Sequence, residues 1–352
     1  MLRFLVLVVA SLCICLYALP VESLKRQTPS AVPQYVLDYA PLVWLDLEEQ
    51  FFPSDIANQL LNTHPQSSSS SDDVGTAPNP LNLENLDQLN RLGDDNVYLT
   101  ANDDWTQTPE WTRGVRPDGS GKTSGAVTCA MLTHNKDNTT LDAFYFYFFA
   151  YNHGNTVLGQ ELGDHLGDWE HVMVRFDIST GTPQAVWLAQ HSAGNAFEYA
   201  ALEKQGDRAV VYSARGSHAT YATSGSHDHT IPGLPLEFGF LQDYTGQGTL
   251  WDPVQSAYFY SVSFPEGTAP GDASNPSFTA YDDSPTNWLY FLGHWGNAQL
   301  SDDDTRQQDF FGQKKYTGGP TGPRDKQINR DSVCGEFLPV CVVNILLPPG
   351  SK

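Results

Sequence analysis

A chain of 352 residues with 41 acidic and 19 basic side chains carries a formal net charge of −22, which argues against nucleic acid and anionic lipid as direct partners unless a cation bridges them. Its 29 glycines and 23 prolines, with little helical periodicity, predict an all-β protein, a β-sandwich with long loops and a few short helices. The length is large for one core but fits a single all-β domain.

Arg3 followed by the apolar run Phe4 to Leu16, with small residues Ala18 and Ser23 near its end, reads as a secretory signal. The run is shorter than the ~20 apolar residues a membrane span needs, and no later segment is apolar enough to span. Lys25-Arg26 resembles a processing site, so residues 1–26 are expected to leave as signal and short propeptide, and 27–352 to form one β-sandwich domain. Asn138-Thr139-Thr140 is a glycosylation sequon, in keeping with a secreted protein. The exterior is the expected destination, with the vacuole lumen as the alternative. Cys13 and Cys15 would leave with the signal. Of the remaining three, Cys334 and Cys341 are close enough in sequence to clip a C-terminal loop in an oxidising compartment, leaving Cys129 a buried thiol. A pairing of Cys129 with either of them is equally open.

Next along the chain, Ser54 reads as the cap of a short helix over Ile56 to Leu61. The polar tract 63–80, unbroken serine from Ser67 to Ser71, reads as a disordered surface loop. Phe144 to Tyr151 is aromatic at both strand parities, which predicts a strand covered on both faces. Further strands are expected over 169–177, 184–191, 208–214, 257–263 and 340–346.

His165-Leu166-Gly167-Asp168-Trp169-Glu170-His171 places two carboxylates and two imidazoles just ahead of an apolar strand. Carboxylates are rarely buried unless paired or bound to metal. Asp168 and Glu170 share a strand parity with Val172, Val174 and Phe176, so one face is acidic at its start and apolar beyond. Gly167 lets the backbone turn His165 toward the same spot. His165, Asp168 and Glu170 are therefore candidate ligands of a divalent cation, and an oxygen-rich set favours calcium, magnesium or manganese. The competing expectation is a salt-bridged network of Asp168 and Glu170 with Arg175 or His171. His218, in Arg215-Gly216-Ser217-His218, and His171 are the candidate catalytic bases. His191, His294, Trp295 and Trp169 are candidate ligand-binding residues, and His227-Asp228-His229 is a weaker grouping. No GxSxG, P-loop, GxGxxG or HExxH is present, which removes support for nucleotide chemistry and serine hydrolysis.

Tyr39-Ala40-Pro41-Leu42-Val43, Phe52-Pro53-Ser54-Asp55-Ile56, the heptad at 165–171, Gly216-Ser217-His218-Ala219-Thr220-Tyr221, Trp251-Asp252-Pro253 and Gly322-Pro323 together resemble the fungal vacuolar protein sorting-associated protein 62 family. That resemblance implies a vacuolar-sorting phenotype but no biochemical activity. The heptad is also similar to the Gly-His-Arg-His-Asp-Trp-Glu motif of the necrosis- and ethylene-inducing-like proteins, secreted cytolysins that bind a divalent cation on a β-sandwich. This second resemblance puts His165, Asp168 and Glu170 at ligand positions and Trp169 at the motif aromatic. Gly167 departs from it, and Asn152 stands where that family has an aspartate, which implies a weaker site.

Three functions remain open from the sequence. One is a cation-dependent enzyme on cell-wall polysaccharide, the second a cation-dependent glycan or membrane-lipid headgroup binder without catalysis, and the third a sorting-related structural protein. Whether the chain is an enzyme is not decided by its residues.

Overall fold

The computed structural model describes residues 31–67, 77–191, 193–228, 241–335 and 340–348. The expected signal and Lys25-Arg26 lie outside these residues, as do His229 and positions 68–76 of the polar tract.

The frame is an eight-stranded sheet in the order Ser277–Ala280, Ala257–Ser263, Cys129–Asn135, Thr140–Asn152, His165–Asp177, Thr182–Gln190, Ala193–Glu198, Val343–Asn344. Neighbours run antiparallel except for Ala257–Ser263 beside Cys129–Asn135 and Ala193–Glu198 beside Val343–Asn344. A smaller sheet packs on one face and contains Lys204–Gln205, Arg208–Ser213, Leu42–Leu45 and Thr249–Trp251, with Thr220–Tyr221 added to Arg208–Ser213. The fold is thus the expected all-β sandwich with short helices.

Strand alternation explains why the two 13-residue central strands carry so many aromatics. Tyr145, Tyr147, Phe149, Val172, Val174 and Phe176 face the smaller sheet and meet Val43, Leu45, Val211 and Trp251. Phe144, Phe146, Phe148, Trp169 and Met173 face the other way and are covered by 3₁₀ turns and loops carrying Leu86, Leu89, Trp288 and Trp295. Both faces of this strand pair are buried, as its double aromatic stripe predicts. No helix among the described residues is long and apolar enough to cross a membrane.

Local details differ from expectation in three places. The helix Ile56–Leu61 is capped by Asp55, whose carboxylate accepts from Asn58 N at 2.8 Å. Ser54 instead accepts from Ala150 N at 3.0 Å and ties this segment to the central strand. The polar tract 63–80 is not loop at its start, because Thr63–Ser67 pairs antiparallel with Val97–Ala101. The span 340–346 yields only a two-residue edge strand, Val343–Asn344, with Val340, Val342, Ile345 and Leu346 exposed. Among the described residues its one strand neighbour is Ala193–Glu198, paired over two residues, too little to extend it.

Candidate functional site

The heptad begins the strand His165–Asp177, hydrogen-bonded along Thr140–Asn152 with Asp168 opposite Phe149 and Glu170 opposite Tyr147. Gly167 adopts φ +65°, and a Cβ there would lie 2.2 Å from the carbonyl oxygen of Trp295. Only glycine combines that backbone angle with that close approach.

The turn carrying Ser217 and His218 closes over the acidic end of this face. His218 N donates to Ala214 O and Ala214 N to Ala219 O, with His218 itself in the left-handed region at φ 58°. Glu49 clamps the turn by accepting from Gly216 N at 2.8 Å. The His218 ring stacks on Phe149 at 3.7 Å and is fully buried. Its Nδ1 meets Asp168 Oδ2 at 2.9 Å and its Nε2 meets Phe51 O at 3.1 Å. Both ring nitrogens are occupied.

A cavity of about 280 Å³ opens beside this pair, and Asn152, His165, Asp168, Glu170, His191 and Lys326 are among its walls. Glu170 and Lys326 also line an adjoining cavity of about 240 Å³, with Trp169, His171, His191 and Arg330. The two carboxylates have different surroundings. Burial works against ionised Asp168, but the hydrogen bond and charge of His218 outweigh it and hold the carboxyl below its usual range. Burial pushes Glu170 well above the carboxylate range, and the neighbouring Asp168 adds to this. His165 is lowered by burial, and its Nδ1 is buried with no hydrogen-bond partner. Asn152 donates from Nδ2 to Gly163 O at 2.9 Å, which leaves Oδ1 as its available oxygen.

The salt-bridged network set against a cation site is not formed. Arg175 takes Asp142 bidentately, at 2.7 and 2.8 Å. His171 lies on the opposite sheet face and its Nε2 accepts from Arg330 at 2.6 Å. Burial, then the Arg330 charge, lowers His171 well below the ordinary histidine range. Neither candidate base, His171 or His218, has an unoccupied Nε2 for a substrate. Trp295 is fully buried, flanked by Phe148, Trp169 and Trp288, and Trp169 is packed in the same cluster. No ring face of Trp295 remains for a sugar. His294 stacks on Tyr98 and meets Gly319 O through Nδ1 at 2.6 Å, outside the cavity walls. His227 stacks on Tyr221.

Several residues of the site carry no local sequence signal. Asp243 is buried and gathers His191, Ser217, Tyr221 and Asn155 on its two oxygens. Burial opposes its ionised form, but these hydrogen bonds, His191 first, hold the carboxyl below its ordinary value. Among the described residues, the ligand atoms of His153, Glu161 and Asp164 all lie within 4.8 Å of one another and could hold a metal. Glu161 already pairs with His153 at 2.7 Å and Lys315 at 2.8 Å, and the His153 hydrogen bond foremost draws its carboxyl down to about 2. Burial raises Asp164 to about 6. Cys334 and Cys341 form a disulfide, Cys129 is free and buried, and Asn138 is exposed in the turn between two strands.

The family model for vacuolar protein sorting-associated protein 62 matches residues 152–258, which include the heptad and the His218 turn. The chain is 36% identical over 339 residues to the putative vacuolar protein sorting-associated protein TDA6 of Saccharomyces cerevisiae, covering 88% of this chain and 69% of that protein. It is 34% identical over 345 residues to vacuolar protein sorting-associated protein 62 of the same yeast, covering 90% of this chain and 70% of the relative. Among solved structures, the non-toxic HaNLP3 protein aligns at 14% identity over 66% of this chain and 77% of its own, with a TM-score of 0.26. A structure described as a toxin fold for microbial attack and plant defense aligns at 16% identity over 41% of this chain and 63% of its own, with a TM-score of 0.21. Similarity this slight carries no argument about function.

Proposed function

The chain belongs to the vacuolar protein sorting-associated protein 62 family, and from that premise we propose that it is a secretory-route protein that binds a glycan through a divalent cation held by Asn152, His165, Asp168 and Glu170, without turning the glycan over. One observation carries the reading. Glu170 is a buried carboxylate on a cavity wall, beside a second carboxylate that already has its counter-charge; the backbone of His171 and the more distant charge of Lys326 favour its ionised form, but burial and Asp168 outweigh them. Such a group takes up either a proton or a cation. The residues fit a hard ion, since Asn152 and the carboxylates offer oxygen and His165 offers Nδ1, which has no hydrogen-bond partner. Calcium, magnesium and manganese are the candidates; bound there, the ion would supply a positive centre for sugar hydroxyls or an anionic oxygen.

Binding is favoured over catalysis because the Nε2 atoms of both candidate bases are engaged within the protein. The secretory route draws support from the disulfide, the exposed Asn138 sequon and the apolar run after Arg3. The vacuole lumen is the destination that the relatives' names favour. On this reading residues 1–26 are removed and 27–352 act as one unit.

The test is metal content by plasma mass spectrometry, with calcium, magnesium and manganese titrations, on the wild type, Glu170→Gln and Glu161→Gln. Near-stoichiometric cation in the wild type and in Glu161→Gln, with none in a folded Glu170→Gln, is the expected result. Loss in Glu161→Gln with retention in Glu170→Gln would move the ion to His153, Glu161 and Asp164 and overturn this reading.

A further inference from the structure

Lys326 is not a ligand in the cation site, although its charge reaches that site and favours the ionised forms of Asp168 and Glu170. It stands in the wall shared by the two adjoining cavities, half-buried; its ammonium makes no close ion pair with a described residue, and its charge acts at longer range on Asp168, Glu170 and Asp325. Lys314, on the same cavity, is paired with Asp302 and Asp309. The backbone that carries Lys326 is firmly held. Arg330 is buried over Phe144 and Trp187 and donates to the carbonyls of Lys326 and Gln327 at 3.0 and 2.9 Å. It also reaches Val333 O and His171, and the Cys334–Cys341 disulfide follows. An unpaired ammonium on a pinned loop, facing a cleft, is arranged to receive an anion.

The class of anion follows from what surrounds the ammonium. The Arg330 guanidinium is committed to three carbonyls and a histidine, so no arginine fork is offered for the several oxygens of a phosphate. The neighbouring walls also carry neutral polar groups: Ser217 and Asn155 donate to Asp243 and keep acceptor oxygens that a sugar hydroxyl can share, and Thr321 bonds Asp325. Resting on the cation site proposed above, we infer that the glycan is acidic and that Lys326 receives the carboxylate of a uronic acid residue, with the cation as the second positive centre. The surface of the chain, at a formal −22, gives an acidic sugar no general attraction, so selectivity must come from this point.

The experiment compares digalacturonate with its methyl-esterified form by calorimetry on the full secreted chain in saturating calcium. The wild type is expected to bind the acid at least ten-fold more tightly than the ester. Lys326→Gln is expected to lose that preference with calcium stoichiometry unchanged, and Lys326→Arg to keep it. Equal binding of acid and ester by a calcium-loaded wild type overturns this inference alone; absence of calcium from the wild type overturns the underlying site. A preference that survives in Lys326→Gln, with calcium bound more tightly, makes Lys326 only a counter-ion of Glu170 and overturns the inference. Displacement of the acid by equimolar inorganic phosphate would make the preferred anion a phosphate and overturn it equally.

Discussion

His218 Nδ1 lies 2.9 Å from Oδ2 of Asp168, and this bond divides two neighbouring carboxylates into one neutralised within the protein and one that is not. Asp168 and Glu170 lie two residues apart on one strand face, so they share a sheet and an end of the sandwich. Their different chemistry comes from the turn at 214–219, which reaches only the first of them.

Opposite effects of two conservative substitutions follow. Asp168→Asn removes the charge that holds a fully buried imidazole, and breaking a buried pair on one side costs about 3 to 5 kcal/mol. Glu170→Gln removes a buried carboxylate that already favours its neutral form, so in chelator its stability should equal or exceed the wild type at neutral pH. Thermal melts in EDTA, then in calcium, check both. Calcium should raise the wild-type midpoint and leave Glu170→Gln unmoved. A Glu170→Gln protein as unstable as Asp168→Asn would show that Glu170 staples the fold.

A second prediction concerns pH. Asp164 is buried, and its carboxyl lies at about 6 against an ordinary 3.8. Between those values the folded chain holds a proton that the unfolded chain has released, so this residue's contribution to stability falls as pH rises from about 4 to 6. The shift corresponds to roughly 3 kcal/mol at most, at about 1.4 kcal/mol per unit. Asp164→Asn keeps an acceptor for Gly154 N and should flatten that limb in denaturant titrations at successive pH values. An unchanged pH profile in the variant would count against the assignment.

Much of the frame was legible because strand parity is local. The alternation through 144–151 and 165–176 places each apolar side chain on its observed face. It also sets Asp168 and Glu170 at the acidic start of one face. The shift of the helix cap from Ser54 to Asp55 is the kind of one-residue difference that two adjacent capping side chains leave undecided. Lys326 and Arg330 were not legible at all. Arg330 meets His171 across 159 positions of chain, and no spacing or motif encodes a contact of that range. The buried place of Trp295 was hidden for the same reason, since the tryptophans that cover it come from residues 169 and 288.

The third prediction tests whether Arg330 organises the wall of the cleft. Arg330→Met retains an apolar stem over Phe144 and Trp187 but leaves the carbonyls of Lys326, Gln327 and Val333 without this donor. A buried polar group left unsatisfied costs about 1 to 3 kcal/mol, so a net loss of at least about 2 kcal/mol is expected. Hydrogen exchange should locate the change. Amides around 326–333 should exchange faster while those of the central strands keep their protection. Uniform loss of protection would place Arg330 in the global core instead.

The fourth prediction turns on Gly167. Alanine there would be asked to adopt φ +65° and to put its Cβ 2.2 Å from the Trp295 carbonyl oxygen. The conformational penalty alone is on the order of 1 kcal/mol. The clash is larger in consequence, because the obstructing atom is backbone and cannot rotate away, and Trp295 is itself wedged against Phe148, Trp169 and Trp288. Relief would require the strand end bearing His165 and Asp168 to separate from the segment carrying Trp295. Gly167→Ala should therefore lose both stability, by more than about 2 kcal/mol, and cation uptake. Tryptophan fluorescence should change with it, since Trp169 and Trp295 sit on the two sides of the contact. A Gly167→Ala protein with wild-type melting and wild-type fluorescence would mean that this close approach does not hold the two segments together.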